Sequence, residues 1–331
     1  MAKLKDKVQT MLDEARMLVL GSQVLIGFQF RAIFEQGFER LPEHARYMKL
    51  GALALMLVAV ALLIAPTAYH RIVEDGEDTK RLHRFSSRVM ELALLPFAIG
   101  LGVDVFVATE KVFGHKPGAS AGLAALAFAL FFWWGLEWMQ RARREPEIRR
   151  EELKSHEEDE KEDQGTKTKD KIKHVLTEAR TVLPGSQALL GFQFICTMTE
   201  SFDKMPATLK YVHLASLALV AISIVLLMTP AAYHRIVERG EETEHFHRFS
   251  SRILLASMIP LALGVTGSFF VVVEKVVHSA AISASSSGAL LLLFFGLWFG
   301  YTIYVRSQDH EHGRDASSSM KAQTEGFRRE T

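Results

Sequence analysis

Apolar residues in this chain gather in long runs, and charged residues crowd between the runs and at the ends. "LGALALMLVAVALLIAP" (50–66) and "GLAALAFALFFWWGLEWM" (122–139) are the clearest runs. A helix rising 1.5 Å per residue needs roughly 20 residues to cross a hydrocarbon core about 30 Å thick, so such runs predict membrane-spanning helices. Shifting the chain by 164 residues superposes Gly21 on Gly185, Tyr69 on Tyr233, Pro96 on Pro260, Glu110 on Glu274 and Trp134 on Trp298 without a gap. Self-similarity at a fixed offset marks a repeated structural unit. Each copy, 12–140 and 176–304, holds four hydrophobic segments, at 17–34, 49–68, 87–109 and 120–139 and again 164 residues later. The expected fold is therefore an all-α polytopic membrane protein of two four-helix transmembrane repeats, about eight spans in all.

The first segment of each copy is the most polar. Ser22, Gln23 and Gln29 recur as Ser186, Gln187 and Gln193, while Arg31 becomes Ile195. Polar side chains in a span normally face a bundle interior, so this helix is expected to cross, with an interfacial helix as the alternative. The organisation that follows is a first repeat at 1–140, a charged cytoplasmic linker at 141–171, a second repeat at 172–306 and a disordered tail at 307–331. The linker, "RARREPEIRREELKSHEEDEKEDQGTKTKDK", carries both charge signs and almost no apolar residue, which predicts a solvated segment. The start, "MAKLKDKVQTMLDEAR", mixes charge signs and lacks a small-residue cleavage site after the first run, so no signal peptide is expected.

Orientation follows from lysine and arginine near the span ends. The connection between the second and third helices carries Arg71, Lys80, Arg81, Arg84 and Arg88, and the next connection only Lys111 and Lys116. Both termini and this hairpin are thus expected in the cytoplasm of an inner membrane. An even number of spans per copy makes the repeats parallel, related by an axis along the membrane normal.

Composition narrows function mainly by exclusion. The chain is 49% hydrophobic and 23% charged with a formal net charge of +1, so no global field selects nucleic acid. Its one cysteine, Cys196, permits neither an internal disulfide nor a cysteine-clustered metal site. Neither a nucleotide-binding loop nor a hydrolytic triad nor a zinc signature occurs, so an enzyme reading has no residues to stand on and no catalytic residue, cofactor or metal ligand is assigned.

The strongest local signal is polar. "YHRIVEDGEDTKRLHRFSSR" (69–88) returns as "YHRIVERGEETEHFHRFSSR" (233–252), identical at 15 of 20 positions. Glycine in "DGED" and "RGEE" supplies a turn, and Asp78 or Thr79 a helix N-cap, so the stretch reads as a helical hairpin. Counted outward from Gly76, His70 and His83 stand at similar height on opposite arms, and His234 and His247 do so in the second copy. The candidate site is therefore Tyr69, His70, Arg71, His83, Arg84 and Arg88 with Tyr233, His234, Arg235, His247, Arg248 and Arg252. Histidines titrating near neutrality suit a proton relay, paired imidazoles suit a transition metal, against which the absent cysteines and plentiful arginines argue, and the arginines suit anionic lipid headgroups. Hairpin anchoring alone is the structural alternative. Membrane-embedded acids usually mark an ion pathway. Here Glu91, Asp104 and Glu137 become Leu255, Ser268 and Tyr301, so Asp104 joins the candidates for the first copy only. Pro96 and Pro260, each four residues before a glycine, either free a carbonyl for an ion or shape packing.

The pattern Glu14-Ala15-Arg16, then Gly21, Gln23 and Gly27-Phe28, followed by Pro66, Tyr69-His70-Arg71 and a serine-arginine pair opening the third helix, resembles a bacterial family of small four-helix integral membrane proteins. That family is a domain of unknown function whose members sometimes carry the automatic name "sodium:proton antiporter". The resemblance covers both copies and implies a tandem fusion of two units. Two function classes are expected: a transporter-like or proton-linked membrane protein using Asp104, Glu91 and the hairpin histidines, or a non-transporting membrane scaffold whose hairpins bind anionic lipid or a protein partner.

Overall fold

The structure, a computed structural model, describes residues 4–135, 168–236 and 244–309. Among these residues the chain is entirely helical between turns. In the first copy, α1 spans Leu4–Phe34, α2 is the single turn Gln36–Glu39, α3 spans Glu43–Ile72, α4 spans Lys80–Phe113 and α5 spans His115–Leu130. In the second, α6 spans Thr168–Cys196, α7 is Glu200–Asp203, α8 spans Ala207–Ile236, α9 spans Glu244–Val277 and α10 begins as Ala280–Phe295 and continues to residue 309. The order of elements repeats. Both α5 and α10 widen into a π-helical turn, at Phe131–Gly135 and Gly296–Gly300.

Six of the described helices are long and apolar enough to cross a membrane: Val8–Phe34, Glu43–Ile72, Lys80–Phe113, Ala207–Pro230, His245–Val277 and Ala280–Asp309. Eight were expected. The shortfall has two sources. The fourth helix of the first copy is described only to Gly135, and the rest of its apolar run lies outside the described residues. The helix α6 opens with Lys169, Asp170, Lys171, Lys173 and Glu178, which leaves an apolar stretch from Val182 to Cys196 that is short for a span. The expected linker and tail fall mostly on residues 136–167 and 310–331, outside the described part; α6 starts at Thr168 and the last helix reaches Asp309.

The two copies meet along α1 and α6. The rings of Phe28 and Phe192 lie 4.7 Å apart, and Gln36 donates to Glu200, each pair separated by 164 positions. Like positions meeting like positions at rising residue number means that the helices run parallel about a pseudo-twofold axis. Gly27 lets them close, since a Cβ there would stand 1.9 Å from the Phe192 ring. The axis is reinforced by Trp298 in the π turn of α10, fully buried, whose indole N–H donates to the Ala61 carbonyl of α3 at 2.8 Å. Tyr301 of the same helix joins the stack of Tyr69 on Phe85.

Within each copy the prolines serve packing. Pro96 and Pro260 are buried inside α4 and α9. Four residues on, a Cβ at Gly100 would press on Met56 and the Ala52 carbonyl, and one at Gly264 on Val220 and the Ser216 carbonyl. Each kinkable segment thus sits where its helix crosses a neighbour closely. Large apolar side chains face outward on most helices, among them Phe28, Leu92, Leu123, Val225 and Leu292, as expected of a lipid-facing belt.

Candidate functional site

The turn of the second copy's repeated stretch, at 237–243, lies outside the described residues; in the first copy the stretch forms the predicted hairpin. Its first arm closes with Val73 N–H on the Tyr69 carbonyl and Gly76 N–H on the His70 carbonyl, at 2.9 and 3.0 Å. Asp75 and Gly76 take left-handed φ values of 48° and 81°, which aspartate tolerates and glycine favours. Thr79 caps the second arm, accepting from Leu82 N–H at 3.0 Å. Glu74 is folded into this turn, and burial pushes its carboxyl above the usual carboxylate range against the pull of Thr79 and Arg81.

The hairpin's two histidines, His70 and His83, do not pair with one another. His70 and Arg71 leave α3 toward the second copy and meet Glu178 of α6. The Arg71 guanidinium grips the carboxylate with two parallel bonds, Nε to Oε2 at 2.6 Å and Nη2 to Oε1 at 3.0 Å, and His70 Nδ1 lies 2.5 Å from Oε1. The side chains of all three are 0% exposed. Bidentate geometry with a third donor is what makes a buried carboxylate tolerable, because a lone one would forfeit several kcal/mol of hydration. Arg71 Nη1 also reaches His247 Nε2 at 3.1 Å and Ser251 Oγ at 3.4 Å, on α9. An arginine only donates, so His247 accepts through Nε2. The turn seats directly on this cluster: a Cβ at Gly76 would stand 2.9 Å from His247 Nε2 and 3.0 Å from Arg71 Nη1. The fixed stretch therefore joins repeat to repeat.

The other predicted residues scatter. No hydrogen bond joins His70 to His83 among the described residues, because His70 is turned to Glu178; His83 is half-buried on α4, and Arg84, Arg88, Arg248 and Arg252 are exposed. Tyr69 is buried and stacked on Phe85. Tyr233, His234 and Arg235 close α8, with their side chains outside the described residues. Glu91 is exposed, and Glu137 lies outside the described residues.

Asp104 belongs to a separate place. It is 21 residues beyond His83 on α4, about 31 Å along the helix axis. There Lys49 donates to Oδ1 at 2.6 Å and Gln29 donates to Oδ2. The second copy rebuilds this contact without charge: Gln193 donates to Ser268 at 2.6 Å, and His213, at the position of Lys49, bonds the Gln193 carbonyl at 3.1 Å. Acid and base have been exchanged together for neutral groups. Among the described residues, one interior cavity of about 20 Å³ is lined by Gln23, Leu57, Leu261, Phe294 and Trp298, and another of about 10 Å³ lies beside Gln193, His213 and Ser268, at the second copy's counterpart of the Asp104 contact. Each has room for about one water.

The family model described as a family of unknown function (DUF6328) matches residues 2–137 and again 161–302. The chain belongs to this family. No curated protein and no solved structure matches it. The two DUF6328 segments leave 138–160 between them, which overlaps the charged linker read from the sequence over 141–160. The family carries no reaction, so the geometry has to supply the chemistry.

Sequence reasoning missed Glu178, Asp78, His174 and Lys49. A signal for the first was present: Glu14-Ala15-Arg16 recurs as Glu178-Ala179-Arg180, ahead of the apolar run where a constant acid has no packing reason to persist. Glu14 itself is exposed, so only the second copy's acid is drawn into the interior of the described structure.

Proposed function

We propose that this chain is a non-enzymatic membrane scaffold whose hairpin end binds anionic lipid headgroups. One observation carries the reading. Arg84 and Arg88 are exposed on the opening turns of α4, and Arg248 and Arg252 on those of α9, where with His245 and Phe249 they line a groove of about 350 Å³ among the described residues. Arginine matches phosphate oxygens bidentately, and a basic cluster next to a span favours an anionic leaflet by about 1 kcal/mol per charge. The lysine and arginine bias places that end in the cytoplasm and both termini with it, as in an inner-membrane protein.

Cation/proton exchange is the competing reading, and the geometry supports it poorly. Asp104 is held by Lys49 and Gln29 at the end opposite the hairpin histidines, the two small cavities named above are water-sized, and the second copy has Ser268 in place of the acid. An exchanger needs a continuous polar path.

The test reconstitutes the protein in liposomes holding a pH dye under sodium and potassium gradients, then measures by native mass spectrometry which lipids it retains from a phosphatidylglycerol and phosphatidylethanolamine mixture. Flux equal to empty liposomes is expected, together with retained phosphatidylglycerol that Arg84→Ala/Arg88→Ala/Arg248→Ala/Arg252→Ala abolishes. Flux above background, or retention unchanged in that variant, overturns the proposal.

A further inference from the structure

The hairpin end carries a second constellation, which shares His70 with the staple between the repeats. His70, Asp78 and His174 converge so that one ligand atom from each lies within 4.8 Å of the others. His70 comes from the end of α3, Asp78 from the hairpin turn and His174 from the first turns of α6 in the other copy. The two imidazole centroids are 5.7 Å apart, and His174 Nδ1 lies 3.2 Å from Asp78 Oδ1. The histidine side chains are 0% exposed and that of Asp78 is 6% exposed.

We propose that His70 Nε2, a carboxylate oxygen of Asp78 and a ring nitrogen of His174 hold a divalent first-row transition-metal ion, of the zinc class, that pins the first copy's hairpin onto α6 of the second. Three observations support this. His70 points a free lone pair into the group: its Nδ1 is engaged by Glu178, so in the neutral ring Nε2 is the acceptor, and that atom is buried without a hydrogen-bond partner among the described residues. Second, Glu178 on the far side of the ring supplies the carboxylate that metal-bound histidines ordinarily carry behind them, fixing tautomer and orientation. Third, the charges suit a cation. The carboxylates of Glu178 and Asp78 both border the two imidazoles, and Arg71 is turned to Glu178 and His247. Two imidazoles and one carboxylate leave a fourth position for a water or an anion, as in open zinc sites.

The pairing of His70 with His83 suggested by the sequence would not make this site, and symmetry does not duplicate it. At the place of His174 the first copy has Thr10, so the corresponding set built on His234 and Glu242 lacks one ligand. A second group, His44, Glu110 and His115, sits at the opposite end, but there both imidazoles already bond the one carboxylate and both are exposed. It serves here as the control.

The experiment uses the full chain purified without a polyhistidine tag, stripped with chelator, in a His44→Ala/His115→Ala background that silences the exposed group. Cobalt(II) is titrated by its visible ligand-field absorption, and zinc by competition against a chromophoric chelator. One ion per chain is expected to bind with histidine-ligated cobalt bands. Replacing His174 by alanine should weaken it roughly a hundredfold or more, beyond the cost of losing an outer-shell partner. Asp78→Asn, which leaves the Glu178 cluster intact, is the second variant should the first misfold, and should weaken binding likewise. Absence of a stoichiometric ion in the background protein, or the same affinity in a folded variant of either kind, overturns the proposal.

Discussion

The two ends of the bundle both tie copy to copy with polar side chains, yet in opposite environments. At the hairpin end Glu178 is wholly enclosed and answered by Arg71 and His70. At the other end Glu39 takes bonds from Lys275 at 3.1 Å and Ser201 at 3.3 Å while its side chain remains 54% exposed, and Lys275 holds its carboxyl below the usual range. The number of contacts is similar. Their worth is not, because an exposed pair exchanges water for a partner at almost no net gain, whereas a buried charge that loses its partner has nothing to replace it. Of the two polar ends, the hairpin end therefore does more to fix how the repeats sit together.

That difference can be broken at graded positions. Glu178→Leu strands the Arg71 guanidinium and should cost about 3–5 kcal/mol of unfolding free energy in detergent, the largest effect expected of any single change here. In the middle of the range, Lys49→His alone removes the cation that answers Asp104 and should cost about 1–3 kcal/mol, while Lys49→His/Asp104→Ser, which writes the second copy's chemistry into the first, should recover most of the loss. Denaturant unfolding followed by tryptophan fluorescence reads both; a double variant no better than the sum of its singles would mean that the two copies' polar contacts are not interchangeable. The smallest effect belongs to Glu39→Gln, within about 1 kcal/mol of the parent, since its pair is largely in water.

Much of this architecture was legible in the sequence. The offset of 164 residues, the hairpin, its cap at Thr79 and the glycine turn all follow from local chemistry, which acts on the chain wherever it is placed. The partner of the hairpin was not legible. Counting outward from Gly76 sets His70 beside His83, but helix rotation decides which way a side chain leaves α3, and that rotation is fixed by α6, a hundred residues on, through Glu178. The same limit applies to Asp104. Its chemistry as an acid in an apolar run was evident, while the lysine that neutralises it begins another helix and looks, in sequence, like a loop charge. Six of the eight expected spans are found among the described residues, and at α6 polarity and membrane crossing conflict: its opening turns carry the groups that build the site, and the same residues shorten its apolar stretch.

The central claim is that the fixed hairpin holds the repeats together through Arg71 and Glu178. A double-mutant cycle tests it most directly, comparing Arg71→Leu, Glu178→Leu and the two combined by equilibrium unfolding in the same detergent. The account predicts that the double variant is more stable than the sum of the single losses by at least about 2 kcal/mol, since removing both charges leaves neither one stranded. Additive losses would contradict it, and would mean that the two side chains act in separate places.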